Sequence, residues 1–245
     1  MRIHIITLFP EMLLGPIDHS ILGRAQQRGL VDIQIHNIRD YARDRHRTTD
    51  DYPYGGGHGM VMKPEPMFRA VETLNLQPDV PIVLTSPQGR LFTQSDAARL
   101  AIKPEMVLIC GHYDGVDERV RERLVTEEVS IGDYVLTGGE IPSLVIVDAV
   151  IRLLPDVLGH SPEAVSDDSH TSGLLQYPHY TRPYDFRSWT APDVLLSGNH
   201  AEITRWRREQ SLKRTLERRP DLLAEAPLTE GDLRFLDNLR QKPTA

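Results

Sequence analysis

Three observations predict an α/β fold with a mostly parallel sheet. Apolar stretches typical of strands alternate with stretches of helical periodicity. Residues 80–89, 105–115 and 130–140 form three similar units, each a short apolar run that ends in a glycine-bearing loop. A helix-like segment follows each unit. Ligands bind such sheets at the carboxyl ends of the strands, so we expect the three loops to gather at one site.

The remaining elements of the first domain are justified by their patterns. Residues 3–9 form an apolar run, and residues 31–38 alternate apolar and polar as a half-buried strand does. Between them, residues 11–29 have a helix-like pattern that Pro16 interrupts. Residues 63–74 predict a helix with prolines in its first turn. We place this first domain at residues 1–159.

The C-terminal third predicts a linker and a small all-α domain. Residues 160–175 are polar and show no hydrophobic period, so we interpret them as a flexible linker. The second domain then spans residues 176–245. Its long helix begins after Asn199, which has capping-box spacing to Glu202, and stops before Pro220. Thr229 predicts the N-cap of a last short helix.

Composition predicts an ordinary cytoplasmic protein. The 245 residues are 40% hydrophobic and 26% charged, which suits a chain with one large core and a smaller one. The single cysteine, Cys110, cannot form an internal disulfide, so a reducing compartment is expected. The start of the sequence does not resemble a signal peptide. The longest apolar stretch, residues 141–154, contains two charges and is too short to span a bilayer, so no membrane is expected.

The charge distribution leaves RNA as a possible partner. A net charge of -7 argues mildly against nucleic acid. Residues 205–219, however, include seven basic and two acidic residues. Residues 39–47 form a weaker cluster with four arginines, one histidine and two aspartates. An acidic protein with two basic patches can still bind RNA.

Several common chemistries are excluded by missing motifs. Neither G-x-G-x-x-G after the first strand nor G-x-x-x-x-G-K-[ST] is present, which argues against a Rossmann site and a P-loop. The histidines are scattered and no H-E-x-x-H occurs, so a zinc site is not supported, and G-x-S-x-G is absent as well. Two interpretations of the loop glycines stay open: they only turn the chain, or their main-chain atoms hold a cofactor.

Two polar segments carry further alternatives. The glycine-rich loop of residues 50–60 is either a simple turn or a lid that shapes itself around a base. Asp167 and Asp168 lie in a serine-rich stretch and are either solvated or capping residues. Alternatively, one of them is a general base that a loop delivers when the substrate arrives.

Long motifs in one order resemble a known family over nearly the whole chain. They are LFPEM, DRHRTTDDYPYGGGHGM, LTSPQG, LICGHYDGVDERV, SIGDYVLTGGEIP, DDSHTSGLL, YPHYTRP and LLSGNHAEITRWRREQSLKRT. Together they resemble the bacterial tRNA (guanine-N1)-methyltransferases of the SPOUT superfamily. The resemblance implies methyl transfer from S-adenosylmethionine to N1 of guanosine 37 of tRNA. It also implies a deep trefoil knot and a homodimer with the active site at the subunit interface.

The resemblance assigns roles to individual residues. Asp168 corresponds to the proposed general base, Arg152 to the arginine beside the reacting base, and Ser169 to a residue that positions the substrate. Arg205, Arg207, Arg208, Lys213 and Arg214 become candidate tRNA contacts. The implied cofactor pocket comprises Thr85, Ser86, Pro87, Gly111, Tyr113, Gly115, Ile131, Gly132, Asp133, Tyr134, Val135, Leu136, Gly138 and Gly139.

Three positions depart from the family's pattern. His112 and Asp114 stand where the family usually has arginine and glutamate, and His58 stands where proline is usual. A magnesium ion has been linked to the acidic position, and its place is not evident in this sequence. Two rivals to the main hypothesis remain: a SPOUT methyltransferase with another RNA target, and an RNA-binding protein that has lost the chemistry.

Overall fold

The computed structural model describes residues 1–158 and 167–241. The chain divides into two compact units, Met1–Gly159 and His160–Ala245, and each is described by itself. The first part of the predicted linker, residues 160–166, lies outside the described residues. No helix within the described ranges is long and apolar enough to cross a membrane.

The first unit is built on a five-stranded parallel sheet. Its strands have the spatial order β2-β1-β6-β5-β7, and every pairing between neighbours is parallel. This confirms the predicted α/β class with a mostly parallel sheet. A separate two-residue antiparallel ladder joins β3 to β4. The strands are β1 (Arg2–Thr7), β2 (Asp32–Asn37), β3 (Asp50–Asp51), β4 (Val61–Met62), β5 (Ile82–Leu91), β6 (Glu105–Cys110) and β7 (Glu127–Ser130).

The helices of this unit follow the predicted order with one difference. Residues 11–29 form two helices, because the chain turns at His19, which is extended. Gly23 permits this turn, since a Cβ there would overlap the Asp18 carbonyl group. The helices are α1 (Glu11–Ile17), α2 (Ser20–Gln27), α3 (Pro64–Glu72), α4 (Gln94–Ala101), α5 (Glu118–Arg123) and α6 (Glu140–Ile151).

The third strand of the repeated units lies earlier in the sequence than predicted. The apolar run after Ser130 is a loop, in which Val135 is 81% exposed, and the strand is Glu127–Ser130. Its two glutamates obscured the strand in the sequence. In the structure their charges are paired: Glu127 with Arg90 and Arg99 at 2.7 Å, and Glu128 with Arg121 at 3.0 Å.

Apolar side chains cover both faces of the sheet. On one face, Ile3 and Ile5 of β1 belong to a core that includes Ile146 and Val150 of α6. On the other face, Ile6 belongs to a core that includes α3. Strands buried on both faces explain the near-continuous apolar runs in the sequence. Burial raises the pKa of the Cys110 thiol, which therefore stays protonated and acts as a small apolar group.

A chain of polar side chains crosses β1, β2 and β6. The His4 imidazole lies 2.9 Å from His36 (Nδ1 to Nε2) and 3.0 Å from Glu105 (Nε2 to Oε1). His36 Nδ1 in turn lies 3.2 Å from the Tyr41 hydroxyl. His4 is 3% exposed, so these contacts replace the water that burial removed. Arg2 supplies a positive charge 3.5 Å from Glu105.

The second unit packs two helices over a small leucine core. They are α7 (His200–Arg218) and α8 (Glu230–Gln241), and the core contains Leu174, Leu212, Leu223 and Leu236. The expectation of an all-α domain is wrong in one respect, because β8 (Asp185–Phe186) and β9 (Trp189–Thr190) form an antiparallel hairpin. Two-residue strands are too short to produce a period in the sequence.

Both helices of the second unit begin at the predicted caps. The Asn199 side chain accepts a hydrogen bond from the Glu202 amide. The Thr229 amide donates to the Asp232 carboxylate, and the Asp232 amide donates to the Thr229 hydroxyl, which forms a capping box. Arg208 of α7 also donates to Asp232 at 2.9 Å, and this hydrogen bond is the main cause that lowers the Asp232 pKa to about 2. The same ion pair ties α7 to the start of α8.

The polar chain makes stability dependent on pH. Burial, and to a smaller extent His4, lower the pKa of His36 below its ordinary value of 6.5. The unfolded chain then binds more protons than the folded protein as the pH falls below 6.5. The contribution of His36 to stability is therefore complete above this pH, and it is lost as the pH falls toward the folded-state pKa.

We expect the free energy of unfolding in urea to decrease between about pH 7.5 and pH 5.5, and to decrease less in His36→Gln. His58→Gln, which changes an exposed histidine of the same unit, serves as the matched control. An equal decrease in all three proteins would show that His36 does not carry this dependence.

Candidate active site

The three glycine-bearing loops surround one cavity, which lies at an interruption within β5 and at the carboxyl ends of β6 and β7. Its volume is about 270 Å³. Of the fourteen residues predicted to hold a cofactor, Asp133 alone is not part of the cavity wall. The predicted residues that line it are Thr85, Ser86, Pro87, Gly111, Tyr113, Gly115, Ile131, Gly132, Tyr134, Val135, Leu136, Gly138 and Gly139.

One junction of buried groups holds the three loops together. The Thr85 hydroxyl, at the first loop, lies 3.1 Å from the Ile109 carbonyl oxygen and 3.4 Å from that of Gly139. The Gly139 amide, in the third loop, donates to the Gly111 carbonyl of the second loop at 2.8 Å. A Cβ at Gly139 would lie 2.7 Å from Cys110 Cα and 2.9 Å from Gly111 N. Only glycine fits this position without displacing the backbone.

The first loop is part of strand β5. Pairing between β5 and β7 is interrupted after Thr85 and resumes at Arg90. A Cβ at Gly89 would lie 2.6 Å from the Glu128 carbonyl carbon, so glycine allows the two backbones to approach. Ser86 and Pro87 bulge out of the ladder between these points and line the cavity.

The second loop is fastened to the segment that includes β4. The Met62 amide donates to the Gly115 carbonyl at 3.0 Å, and the Asp114 amide donates to the Met60 carbonyl at 3.1 Å. Tyr113 has a φ of 59° and Gly115 a φ of 120°, so the loop turns through left-handed conformations. The base of the glycine-rich loop therefore lies against the second loop, while the Tyr54 side chain within the glycine-rich loop is fully exposed.

The third loop presents main-chain groups and apolar side chains. The Ser130 hydroxyl donates to the Gly132 carbonyl at 2.9 Å and fixes the start of the loop. The Tyr134 hydroxyl donates to the Ile131 carbonyl at 3.3 Å. Tyr134 and Val135 remain 54% and 81% exposed. Apolar side chains around main-chain donors and acceptors are typical of small-molecule sites.

Two buried polar atoms beside the cavity have no hydrogen-bond partner within the described residues. They are Nδ1 of His112 and Oε2 of Glu140. The other carboxylate oxygen of Glu140 accepts from the Thr7 hydroxyl at 2.7 Å, and Glu140 is 1% exposed. A Cβ at Gly138 would collide with both unpartnered atoms. Our sequence analysis missed Glu140, although a charged residue at the start of an apolar helix was a signal for it.

The predicted catalytic residues lie in different units. Arg152 is the C-cap of α6, and its amide donates to the Asp148 carbonyl at 3.2 Å. The carbonyl of Asp168, in the second unit, accepts from the Thr171 amide at 3.2 Å. The Ser169 hydroxyl accepts from the Gln176 amide at 3.0 Å. Their roles stay predictions.

The basic helix α7 divides into internal and outward-facing cations. Arg208 is bound to Asp232, and Arg214 donates to the Gln176 carbonyl at 3.1 Å. The Arg205 and Lys213 side chains are 74% and 50% exposed, and each has one glutamate at 3.9 Å. Arg207 lies over the Tyr177 ring, 4.8 Å from its centroid. Among these five, Arg205 and Lys213 are therefore best placed to contact phosphates.

Metal ligands are not clustered in the described parts of the chain. Within residues 1–158 and 167–241, no group of three His, Cys, Asp or Glu residues is arranged to hold a metal ion. Asp114, at the position linked to magnesium by resemblance, lines the cavity.

The first unit belongs to a class of α/β proteins that hold a small ligand in main-chain loops at the carboxyl edge of a parallel sheet. The family model described as tRNA (Guanine-1)-methyltransferase TrmD matches residues 1–225. The chain belongs to this family, and the resemblance recognised in the sequence is confirmed. It is an enzyme of the methyltransferase class, which implies S-adenosylmethionine as the methyl donor.

Relatives align over nearly their full lengths. A tRNA (guanine-N(1)-)-methyltransferase of Dehalococcoides mccartyi is 56% identical over 98% of this chain and 97% of the relative. Proteins of the same name from Dictyoglomus turgidum and Staphylococcus epidermidis are 55% and 52% identical, each over 99% of this chain and 98% of the relative.

The crowded position of Gly139 can be tested by substitution. We expect Gly139→Ala to lower the free energy of unfolding by about 1–3 kcal/mol, because the added Cβ overlaps backbone atoms. We also expect weaker binding of S-adenosylmethionine in a calorimetric titration. Gly231→Ala is the matched control, since a Cβ there lies 3.7 Å from the Thr229 hydroxyl within helix α8 and should stabilise by up to about 1 kcal/mol. Unchanged stability and affinity in Gly139→Ala would contradict the packing argument.

Proposed function

We propose that the protein transfers a methyl group from S-adenosylmethionine to N1 of guanosine 37 of tRNA, next to the anticodon. The observation that carries the proposal is the cavity formed by the three loops in a chain that belongs to the tRNA (Guanine-1)-methyltransferase family. The names of relatives that align end to end support the same reaction.

The groups around the cavity suit S-adenosylmethionine. Gly111 and Gly138 are partly exposed at the cavity, and without a Cβ they allow a ligand to approach their main-chain atoms. The unpartnered atoms of His112 and Glu140 offer further polar contacts. The apolar wall at Leu136 and Pro142 excludes water from the ligand. When bound, S-adenosylmethionine supplies the electrophilic methyl group.

The protein's own contribution would be orientation and proton transfer. Asp168 accepts the N1 proton of guanine as the methyl group moves from sulfur to nitrogen. Arg152 stabilises negative charge that develops on the guanine O6. Ser169 would hold the substrate beside Asp168. Alignment of sulfur, carbon and N1 contributes much of the rate, because it converts an encounter in solution into a reaction within one complex.

The exposed apolar surface of the first unit supports a homodimer. Ile141 and Val145 of α6 are 50% and 45% exposed, while Ile146 and Val150 of the same helix are buried. Met12 and Leu14 of α1 are also 43% and 48% exposed. A helix that is apolar on all sides needs a partner on its outer face. A second copy of the chain on this face would bring the active site to the subunit interface, as the resemblance implies.

A deep trefoil knot is part of the same proposal. The close junction of Thr85, Gly111 and Gly139 supports it, because three separate chain segments meet there with backbone atoms in contact. The second unit is proposed as a tRNA-binding domain, and Leu174, near the end of the predicted linker of residues 160–175, already belongs to its core. Magnesium dependence and a cytoplasmic location stay predictions from the sequence.

Asp168 is tested by an isosteric substitution. We expect Asp168→Asn to lower the rate of methyl transfer by about 10²- to 10⁴-fold, because the amide cannot accept the N1 proton. Binding of S-adenosylmethionine should be unchanged. The methyl group is located by nucleoside mass spectrometry of a tRNA transcript with guanosine 37.

Asp167→Asn is the matched control, since Asp167 accepts a hydrogen bond from Tyr177 and should affect the rate little. Full activity of Asp168→Asn would show that Asp168 is not the general base. In the wild type, methylation at another nucleotide would indicate a different SPOUT specificity. Intact cofactor binding by the wild type with no methylation would favour the RNA-binding alternative.

The outward-facing cations of α7 predict a change in salt dependence. We expect the double variant Arg205→Gln with Lys213→Gln to bind tRNA more weakly and to reduce the slope of log K against log[salt] by about 2. The measurement is a filter-binding titration at several salt concentrations. Arg234→Gln in α8, which removes a side chain that is 78% exposed, is the control and should keep the original slope. Equal slopes in the wild type and the double variant would remove Arg205 and Lys213 from the tRNA surface.

A further inference from the structure

A run of exposed aromatic and basic side chains precedes α7 in the second unit. Residues 179–190 are all exposed. Within this run Trp189 is 69% exposed, and Phe186 and Tyr180 are each 52% exposed. Side chains of this size are ordinarily covered, and a group of them at the surface usually marks a site of interaction.

The β8–β9 hairpin holds two of these rings in place. Phe186 and Trp189 are paired across the strands, and their ring centroids are 6.2 Å apart at an interplanar angle of 54°. Arg187 and Ser188 at the turn have φ values of 58° and 66°. The Ser188 amide donates to the Asp185 carboxylate at 2.8 Å, which fixes the turn. The two rings are tilted and do not stack on each other, so a face of each is available to a flat partner.

Basic groups accompany the rings. The Arg187 guanidinium lies 5.2 Å from the centroid of Phe186. Tyr180 contacts Trp206 of α7, with ring centroids 6.4 Å apart, and Trp206 lies between Arg205 and Arg207. The aromatic run is therefore continuous with the basic helix.

The acidic residues Asp185 and Asp193 are exposed, and each accepts a hydrogen bond from a neighbouring group of the protein. Asp185 accepts from the Ser188 amide, and Asp193 accepts from the Tyr184 hydroxyl at 2.8 Å. These two hydrogen bonds stabilise the hairpin and the segment that follows it. Together with α7, residues 179–219 contain nine lysine and arginine residues and five aspartate and glutamate residues, and this positive excess suits a phosphate backbone better than a basic protein surface.

We propose that the hairpin stacks Trp189 and Phe186 on unpaired bases of the RNA substrate, with Arg187 beside the adjoining phosphate. This inference rests on the proposed function for the presence of tRNA, and it adds a contact in the second unit to the cavity described in the first. Aromatic rings recognise single-stranded RNA because every base has a flat face, whereas bases in a duplex are already stacked. The hairpin should therefore discriminate a loop from a duplex.

The two tryptophans of the chain allow a direct test. Trp206→Phe leaves Trp189 as the only tryptophan. We expect its fluorescence to be quenched when an anticodon stem-loop RNA binds, and to change little with a fully paired RNA duplex of equal length. Unchanged emission at RNA concentrations that saturate binding in a filter assay would overturn the proposal.

Substitution of Trp189 gives the energetic test. Trp189→Ala should weaken stem-loop binding by about 5- to 100-fold, and Trp189→Phe should restore most of it. Leu233→Ala is the matched control, because Leu233 is a 49% exposed apolar residue of α8 in the same unit. Equal affinities for Trp189→Ala and Leu233→Ala would contradict stacking.

Two further results separate this proposal from its alternatives. If the wild type methylates guanosine 37 while Trp189→Ala keeps the wild-type KM for tRNA, the proposed function is supported and the hairpin contact is contradicted. If Trp189 emission instead changes with protein concentration in the absence of RNA, the hairpin is an interface between copies of the chain. That outcome also overturns the proposal.

Discussion

The close meeting of Thr85, Gly111 and Gly139 is the constraint on which the candidate site depends. Three loops that are far apart in the sequence share hydrogen bonds there, and a single added Cβ would separate them. Such a junction fixes main-chain positions without long side chains, so little conformational entropy is lost when a ligand binds. The cavity is thus largely formed by the fold of the sheet itself.

Charge pairing along the edge strand supports this junction. β7 lies at the edge of the sheet, and its glutamates are bound to Arg90, Arg99 and Arg121. Arg90 also contacts Asp96, which forms a capping box with Thr93 at the start of α4. These half-exposed pairs contribute modest energy singly. As a connected network they fix the register of β7, and this register determines where the third loop begins.

The sequence predicted the parts of the structure that follow local rules. Alternating strands and helices predicted the parallel sheet, and Asn199 and Thr229 predicted two helix starts, because capping depends on a few neighbouring residues. The break between α1 and α2 was missed because it depends on the close approach of Gly23 to the Asp18 backbone, which no hydrophobic period records. The position of β7 was missed because arginines distant in the sequence pair its glutamates. Thirteen residues assigned by resemblance line the cavity, but the sequence pattern alone left open whether their glycines only turn the chain or hold a cofactor. Glu140 was missed although its charge at the start of an apolar helix was a signal, because its burial and its contact with Thr7 arise from the tertiary structure.

A pocket made of main-chain atoms also limits the effect of the sequence departures. His112 pairs with Gly138 through a backbone bridge, and its amide donates to the Met62 sulfur at 3.2 Å. These contacts do not depend on which side chain the residue carries, so the loop can keep its course with histidine in place of arginine. The difference lies in the His112 side chain, whose Nδ1 is buried beside the unpartnered Oε2 of Glu140. An unpartnered buried pair is costly unless a ligand or a water molecule satisfies it. Histidine in place of arginine at position 112 therefore changes the polar contacts that the cavity offers to a ligand. The fold that forms the cavity is unaffected.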